Sequence, residues 1–529
     1  MRYMLLICTF LIITIMPVSA QESSELMPIT IDNVAQLHEI TSFTWANEDT
    51  IGIRANWNPI NGRVLIHEFR GSEFEYQPTV TVWDSLEDQI IFQQTLAHGE
   101  VNWNEDGTRL LISEQKDDAM GIDLALWSID TGELIAEFEH TISEFLMRHE
   151  ILWLDDQIYV STTTLNWGEG KTEDSIGTYL SVFDTQGNLL NTSTSEWLSN
   201  YLIPSPDETR LLAFMETSVP GQHPIIFDRD GNIIAELDQL PQPTDNTIGT
   251  NPYAVWSADS QRILTFNYPN VTPHGTTIWH DAGDPRLWTA DGDLITHIAT
   301  PYEGYRDGIL WNDDLTRFFF WNGDTYPEST FFAQMVNDNN EIIFELPEDS
   351  TLNSEEDNLL SVMWNEDQSL LFIRSRYPYS LEIWSNDGEL ILETNRGFGN
   401  LNNAVWSTNN NRFLLPIEQF SRDCILENVV LELWDMQDLT RPQARMLYTG
   451  FLNFFWNADE SLIYARVGGG FIWEACSFSP ERELVIWNND GQRLFEAPIM
   501  VSDIELNENE TQLFVQTSES VAIWGVSDD

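Results

Sequence analysis

Short apolar runs alternate with small polar clusters along almost the whole chain. The stretch Ser361–Thr394, SVMWNEDQSLLFIRSRYPYSLEIWSNDGELILET, shows the pattern most plainly. Ser361–Trp364, Leu370–Ser375, Leu381–Trp384 and Glu389–Thr394 are rich in Leu, Ile and aromatic residues, whereas Asn365–Ser369, Arg376–Tyr379 and Asn386–Gly388 are polar. Apolar runs this short, punctuated by Asn, Asp and Gly, predict strands joined by tight turns. No helix-length amphipathic segment interrupts them.

The same four-strand sentence recurs down the chain. First strands end at Trp45, Trp103, Trp153, Trp256, Trp311, Trp364, Trp406 and Trp456, with weaker versions at Tyr201-Leu-Ile203 and Asp503-Ile-Glu505. Third strands answer with Val82-Trp83-Asp84, Leu126-Trp127-Ser128, Ile383-Trp384-Ser385, Leu433-Trp434-Asp435 and their equivalents, and the unit near Phe331–Asn340 is degenerate. A four-stranded unit repeated at roughly 40–50 residues predicts an all-β propeller of antiparallel blades, because one blade cannot bury both of its faces but a ring of blades can. Nine full units precede Ser502–Val526, which supplies only three strands. The spare strand Val34–Thr41 is expected to pair with Val521–Gly525, complete a tenth blade and close the ring, as a single ring or as two smaller ones. The expected organisation is a leader at 1–20, a polar segment at 21–28 and the propeller at 29–529.

On particular residues the chain resembles the WD40 and bacterial WD40-like propeller families. Trp83-Asp84 and Trp434-Asp435 match the third-strand ending of WD40 repeats, and WNEDG at 103–107 with WSADS at 256–260 resembles the first-strand motif of the bacterial group. The resemblance spans about residues 30–526 and implies the fold rather than an activity. His98 and His140 fall where a WD40 blade places its structural histidine. Most other units lack it, so the hydrogen-bonded tetrad of the family is largely missing. The resemblance also implies that connectors after second strands and connectors between units emerge on one face.

Composition narrows the partners. With 24 basic and 85 acidic side chains the chain carries a formal charge of −61, which argues against nucleic acid and anionic membrane as partners, since both need neutralising cations. The charge reads as a strongly solvated surface or as adaptation to cation-rich surroundings. Met1–Ala20 combines Arg2, an apolar stretch Tyr3–Met16 and the small-residue ending Val18-Ser19-Ala20. It is read as a secretory signal peptide, so the mature protein is expected outside the cell without membrane insertion. Cys8 leaves with it. Cys424 and Cys476 then remain, each between the second and third strands of consecutive units, and are expected to form a disulfide in an oxidising compartment.

Candidate chemistry is sparse. Repeated tryptophans at one position of each unit read as blade anchors rather than a sugar-stacking platform. Asp228-Arg-Asp230-Gly231-Asn232 is the best apparent calcium loop, yet hairpins need Asp, Asn and Gly for backbone reasons and the distal Glu is missing. Gly168–Thr172 has only the tail of a phosphate loop. His274, His280, Asp281 and Asp284 share one long loop and could gather a metal, although loop polar residues are usually solvated. Neither G-x-S-x-G nor H-E-x-x-H occurs, so no catalytic residue, cofactor or metal site is nominated. Long connectors are expected at Asn56–Pro78, Thr164–Gly177, Asn267–Pro285, Glu418–Asn428 and Gly468–Glu483, and between units at Asp238–Pro252 and Pro347–Asn358. The resulting expectation is a secreted, non-catalytic binding scaffold for a protein or extracellular polymer. The alternatives are an extracellular hydrolase or lyase with a cation-assisted acidic site, and a structural envelope component.

Overall fold

The computed structural model of the chain describes residues 26–527 apart from 46–49, 73–74, 97–98, 117–120, 142–144, 167–174, 196–200, 215–223, 239–250, 269–284, 299–307, 322–332, 347–359, 376–379, 395–403, 409–410, 421–425, 440, 449–452, 469–470, 473–476 and 479–481. Ten four-stranded antiparallel sheets follow one another. Eight are built from consecutive strands in simple meander order; the ninth keeps that order with a small hairpin, Phe471–Ile472 with Ser477–Phe478, between its second and third strands. In the seventh blade the strands are Leu360–Trp364, Leu370–Ser375, Ser380–Ser385 and Leu390–Thr394. These bounds lie within a residue or so of those predicted.

The tenth sheet closes the ring. His38–Thr44 pairs antiparallel with Ser520–Gly525, from His38 opposite Gly525 to Thr44 opposite Ser520. The closing strand therefore starts later than the predicted Val34. Val34–Gln36 is a single 3₁₀ turn, and Asn33 ties it down by accepting from the Thr30 N–H and donating to the Pro28 carbonyl. Val34 and Leu37 are free to drop into the core between the ninth and tenth blades.

The hydrophobic core is divided into ten clusters, one for each contact between neighbouring blades. The cluster of Trp57, Val64, Ile66 and Trp83 with Phe514, Val521 and Ile523 joins the first blade to the tenth, so the series returns to its start. Second and third strands are the most enclosed, as in Phe318–Trp321 and Ser380–Ile383, all buried. Fourth strands form the outer edge and leave side chains such as Leu390 and Ile391 exposed.

The turns between third and fourth strands explain both the Asp-Gly signals and the degenerate unit. Gly132, Gly187, Gly231, Gly292, Gly388 and Gly491 all have φ between +66 and +91°. Each precedes a bulge at the third-strand aromatic, as between Ile383 and Trp384, which is the geometry of a short hairpin ending in a left-handed residue. In the sixth blade Asn340 holds that place at φ +63°, and the third strand Ala333–Asn337 forms with the same bulge, between Met335 and Val336. An asparagine tolerates the left-handed region better than most residues, so the sequence degenerates there while the blade does not.

The first blade differs from the sequence expectation. Its first strand is Thr50–Asn58, and Trp57 holds the anchor position. Trp45 instead follows the closing strand, buried, with its indole N–H donating to the Ser518 carbonyl at 3.0 Å. Asn56–Pro78 is consequently no long connector, because Arg63–Ser72 and Glu75–Asp84 pair as the second and third strands across it. Phe43-Thr-Trp45 imitates a first-strand ending because the closing strand is also a half-buried strand that stops beside a blade core.

Candidate functional site

Two regions concentrate polar side chains. The first is the face of short turns. After most first strands an Asn or Ser accepts backbone N–H groups from the far side of the turn: Asn104 from Arg109 at 2.8 Å, Asn312 from Arg317 at 2.8 Å, Asn365 from Leu370 at 2.8 Å and Asn457 from Leu462 at 2.7 Å. Two residues further on, Asp106, Asp207, Asp259, Asp367 and Asp459 accept from the next Ser, Thr or Gln. Hydrogen bonds to the ionised form favour it. For Asp367 and Asp459 the Ser369 and Ser461 bonds are the main reason each carboxyl sits below the usual carboxylate range.

The next residue of each turn adds a feature with no sequence signature. Glu208, Ser260, Leu315, Gln368, Glu460 and Glu510 have φ between +54 and +61° although none is glycine. From this strained position several reach the preceding blade. Ser260 accepts from Asp207 N–H at 3.0 Å, Gln368 from Asp313 N–H at 2.6 Å and Glu460 from Thr408 N–H at 2.8 Å, while Glu510 accepts from Ala458 N–H. Glu460 also holds Arg412 at 2.8 Å with its own side chain only 4% exposed. The left-handed backbone costs about 1 kcal/mol or more per residue, and the clamp between blades offsets it. Asp228 likewise accepts from its own turn, from Asn232 N–H at 2.8 Å. The apparent calcium loop is thus a saturated hairpin, and this face is structural.

The second region is the inner wall of blades one to four. At the position three residues before the anchor, first strands present Arg54, Glu100 and Glu150 in successive blades. Burial pushes the Glu150 carboxyl up to about 7, against one bond from Leu202 N–H at 3.0 Å in the fourth blade. Burial lowers His149, while the Glu100 charge opposes it, and the His149 Nε2 is buried without a hydrogen-bond partner among the described residues. His140 lies buried in the fourth strand of the second blade, where its Nε2 meets Thr162 Oγ1 of the third blade at 2.9 Å. Burial, with the His149 and Lys116 charges, lowers it to about 4.

Between the first and second blades this wall opens into a cavity of about 720 Å³. Arg54, Asn56, His67 and Phe69 form one side, and Gly99–Trp103 forms the other. The Trp103 indole N–H donates to Asn56 Oδ1 at 3.0 Å and ties the two sides together. The Arg54 guanidinium stands 5.8 Å from the Phe69 ring centre, and the His67 ring lies 4.4 Å from the same ring. Burial, then the Arg54 charge, holds His67 below its ordinary value, and its Nε2 is buried with no partner among the described residues.

The tryptophans read as anchors are packing groups of unequal depth. Trp256 and Trp364 are buried, and Trp103, Trp153, Trp311, Trp406 and Trp456 are partly buried against the clusters between blades. The N–H groups of Trp364, Trp406 and Trp456 find no partner among the described residues. Cys424, Cys476, His98, the loop with His274, His280, Asp281 and Asp284, Gly168–Thr172 and the leader 1–20 lie outside the described residues. Among the described residues no group of three His, Cys, Asp or Glu side chains could hold a metal ion, and no helix is long and apolar enough to cross a membrane.

No family model matches the chain, and no curated protein matches it. Among solved structures it is similar to a eukaryotic initiation factor, at 12% identity and a TM-score of 0.44, over 80% of this chain and 94% of that one. It is also similar to the C-terminal WD40 domain of Sif2, at 10% identity and a TM-score of 0.36, over 93% and 98% of the two chains. The outer match to BamB from Moraxella catarrhalis has 10% identity, a TM-score of 0.30 and the same coverage.

Proposed function

We propose that the chain is an exported, non-catalytic binding scaffold that engages a protein or extracellular polymer through the face carrying its longer connectors. The observation that carries this reading is the contrast between the ring's two faces. On one, the described turns after first strands are short, and in several of them Asn, Ser, Gln and Glu side chains are engaged in turn and blade-to-blade hydrogen bonds. On the other, the second and third strands of the fifth blade end at Tyr268 and resume at Arg286, and those of the fourth end at Phe214 and resume at Ile225. Long connectors on a rigid scaffold are where recognition usually resides. Cys424 and Cys476 belong to connectors of this class in the eighth and ninth blades, which share one core. A disulfide between them would tie neighbouring loops of the binding face, and non-reducing peptide mapping checks it.

The test replaces 267–285 with a short turn and compares capture from spent growth medium with that by the parent chain. Folding should survive, because loop length changes stability only slowly, and the captured partner should be lost. Asp387→Asn, on the turn face, should capture as the parent does. Loss of capture in Asp387→Asn with retention in the loop replacement would place the site on the opposite face.

A further inference from the structure

The cavity between the first and second blades is not explained by a role for the loop face, and its chemistry is specific enough to name a ligand class. We infer that it binds a small zwitterion with an apolar body, a free amino acid or short peptide, whose carboxylate meets Arg54 and whose ammonium meets Glu100.

Arg54 is the first reason. The chain carries 85 acidic and only 24 basic side chains, and Arg63, Arg210, Arg262 and Arg412 are each paired with a carboxylate. Arg54 has no ion pair among the described residues and rests instead over the Phe69 ring. A guanidinium oriented by an aromatic face and left without a counter-ion is prepared for a carboxylate, which it can hold through two parallel hydrogen bonds. His67 is directly opposite Arg54 in the strand pair.

The second reason is the opposite charge. Glu100, on the other side of the same cavity, is exposed at its edge. A net anion would face both this carboxylate and the field of a chain charged at −61, which repels like charge at long range. A ligand carrying one charge of each sign avoids that repulsion and uses both side chains. The lining also includes Phe69, Leu65, Val101 and Trp103, side chains that can pack against an aliphatic or aromatic body. The volume of about 720 Å³ is in the range of small-molecule sites and accommodates a single residue or a dipeptide.

This inference does not depend on the partner proposed for the loop face, and its test does not involve those loops. Titration calorimetry of the full chain with L-phenylalanine, L-leucine and the dipeptide Phe-Leu should show saturable binding of one equivalent for at least one of them. For the ligand that binds, its C-terminal amide and its N-acetyl derivative should each bind at least about tenfold more weakly, as should the parent ligand to Arg54→Met. Glu100→Gln should weaken the zwitterion yet leave the N-acetyl derivative unchanged. Arg54 and Glu100 are both exposed, so these variants should melt like the parent, which separates lost binding from lost folding. No saturable binding by any of the three, or equal affinity in Arg54→Met, overturns the proposal. Equal binding of the N-acetyl derivative overturns the zwitterion and leaves a plain carboxylate site.

Discussion

Acidic residues sit in two kinds of surroundings in this ring, and the contrast separates scaffold from site. On the turn face, Asp367 and Asp459 are held ionised by bonds from their own turns, and Glu460 by bonds from Thr408 and Arg412 that outweigh its burial. On the inner wall, Glu150 is pushed toward its neutral form by burial with a single backbone donor to oppose it. His67 and His149 there keep buried nitrogens that nothing described satisfies. A carboxylate whose hydrogen bonds are complete has nothing left for a ligand. A polar group that remains incomplete in a dry place costs stability, and such groups concentrate where ligands or protons are handled.

The largest effect should come from the turn face. Glu460→Ala removes the partner of Arg412 and of Thr408 N–H at a site where the Glu460 side chain is 4% exposed. The loss expected is about 2–4 kcal/mol in urea unfolding, because a partly buried charge is left unpaired. A loss below about 0.5 kcal/mol would mean that the clamps between blades are incidental and the contrast is false.

The inner wall should respond to pH instead. Glu150 has a folded value of about 7 against an ordinary 4.5. For an acid raised on folding, the folded state holds the extra proton, so stability falls as pH rises from the lower value to the higher. Glu150→Gln should match the parent in acid and exceed it above pH 7, by about 1–2 kcal/mol once partial solvation is allowed for. His140, in the outer fourth strand of the second blade rather than on the inner wall, works in the other direction. Its folded value of about 4 lies below the ordinary 6.5, so its contribution is complete above 6.5 and is lost as pH falls toward 4. The two windows, from 4.5 to about 7 for Glu150 and from about 4 to 6.5 for His140, overlap with opposite slopes and largely cancel in the parent, so Glu150→Gln should unmask a rise in melting temperature as pH increases through the His140 window. An unchanged profile in Glu150→Gln would contradict the assignment.

The smallest effect belongs to a single turn. Asp367→Ala deletes the acceptor for Ser369 N–H and for the Asn365 side-chain amide and, in an exposed turn, should cost about 1 kcal/mol, within the usual net range of hydrogen bonds. Because the Asp367 carboxyl is held below its ordinary range, the difference from the parent should persist at neutral pH and shrink only in strong acid. A larger cost than that of Glu460→Ala would mean that single-turn bonds, not the clamps between blades, carry this face.

Blade architecture was legible because each strand of Leu360–Thr394 carries its own apolar run and each turn its own Asn, Asp or Gly. The first blade was misjudged because Trp45 offers the same local wording as Trp57, and only pairing with residues almost five hundred positions away tells them apart. The strained turn residues were invisible, since Glu460 and Gln368 occupy a backbone region where glycine is the expected signal. The cavity was equally hidden. Arg54, His67 and Glu100 share no motif and meet only because the first two blades stand side by side.

The pairing of His38–Thr44 with Ser520–Gly525 also sets an order of assembly during synthesis. Nine blades are each made of one continuous stretch and can form as that stretch emerges. The closing strand is made early and must wait, unpaired, until almost all of the remaining chain exists. During that interval it is an exposed strand edge, the kind of surface through which chains aggregate or exchange segments. The composite blade thus makes ring formation a late event, and a truncation that spares every local contact in the first nine blades would still leave an open arc.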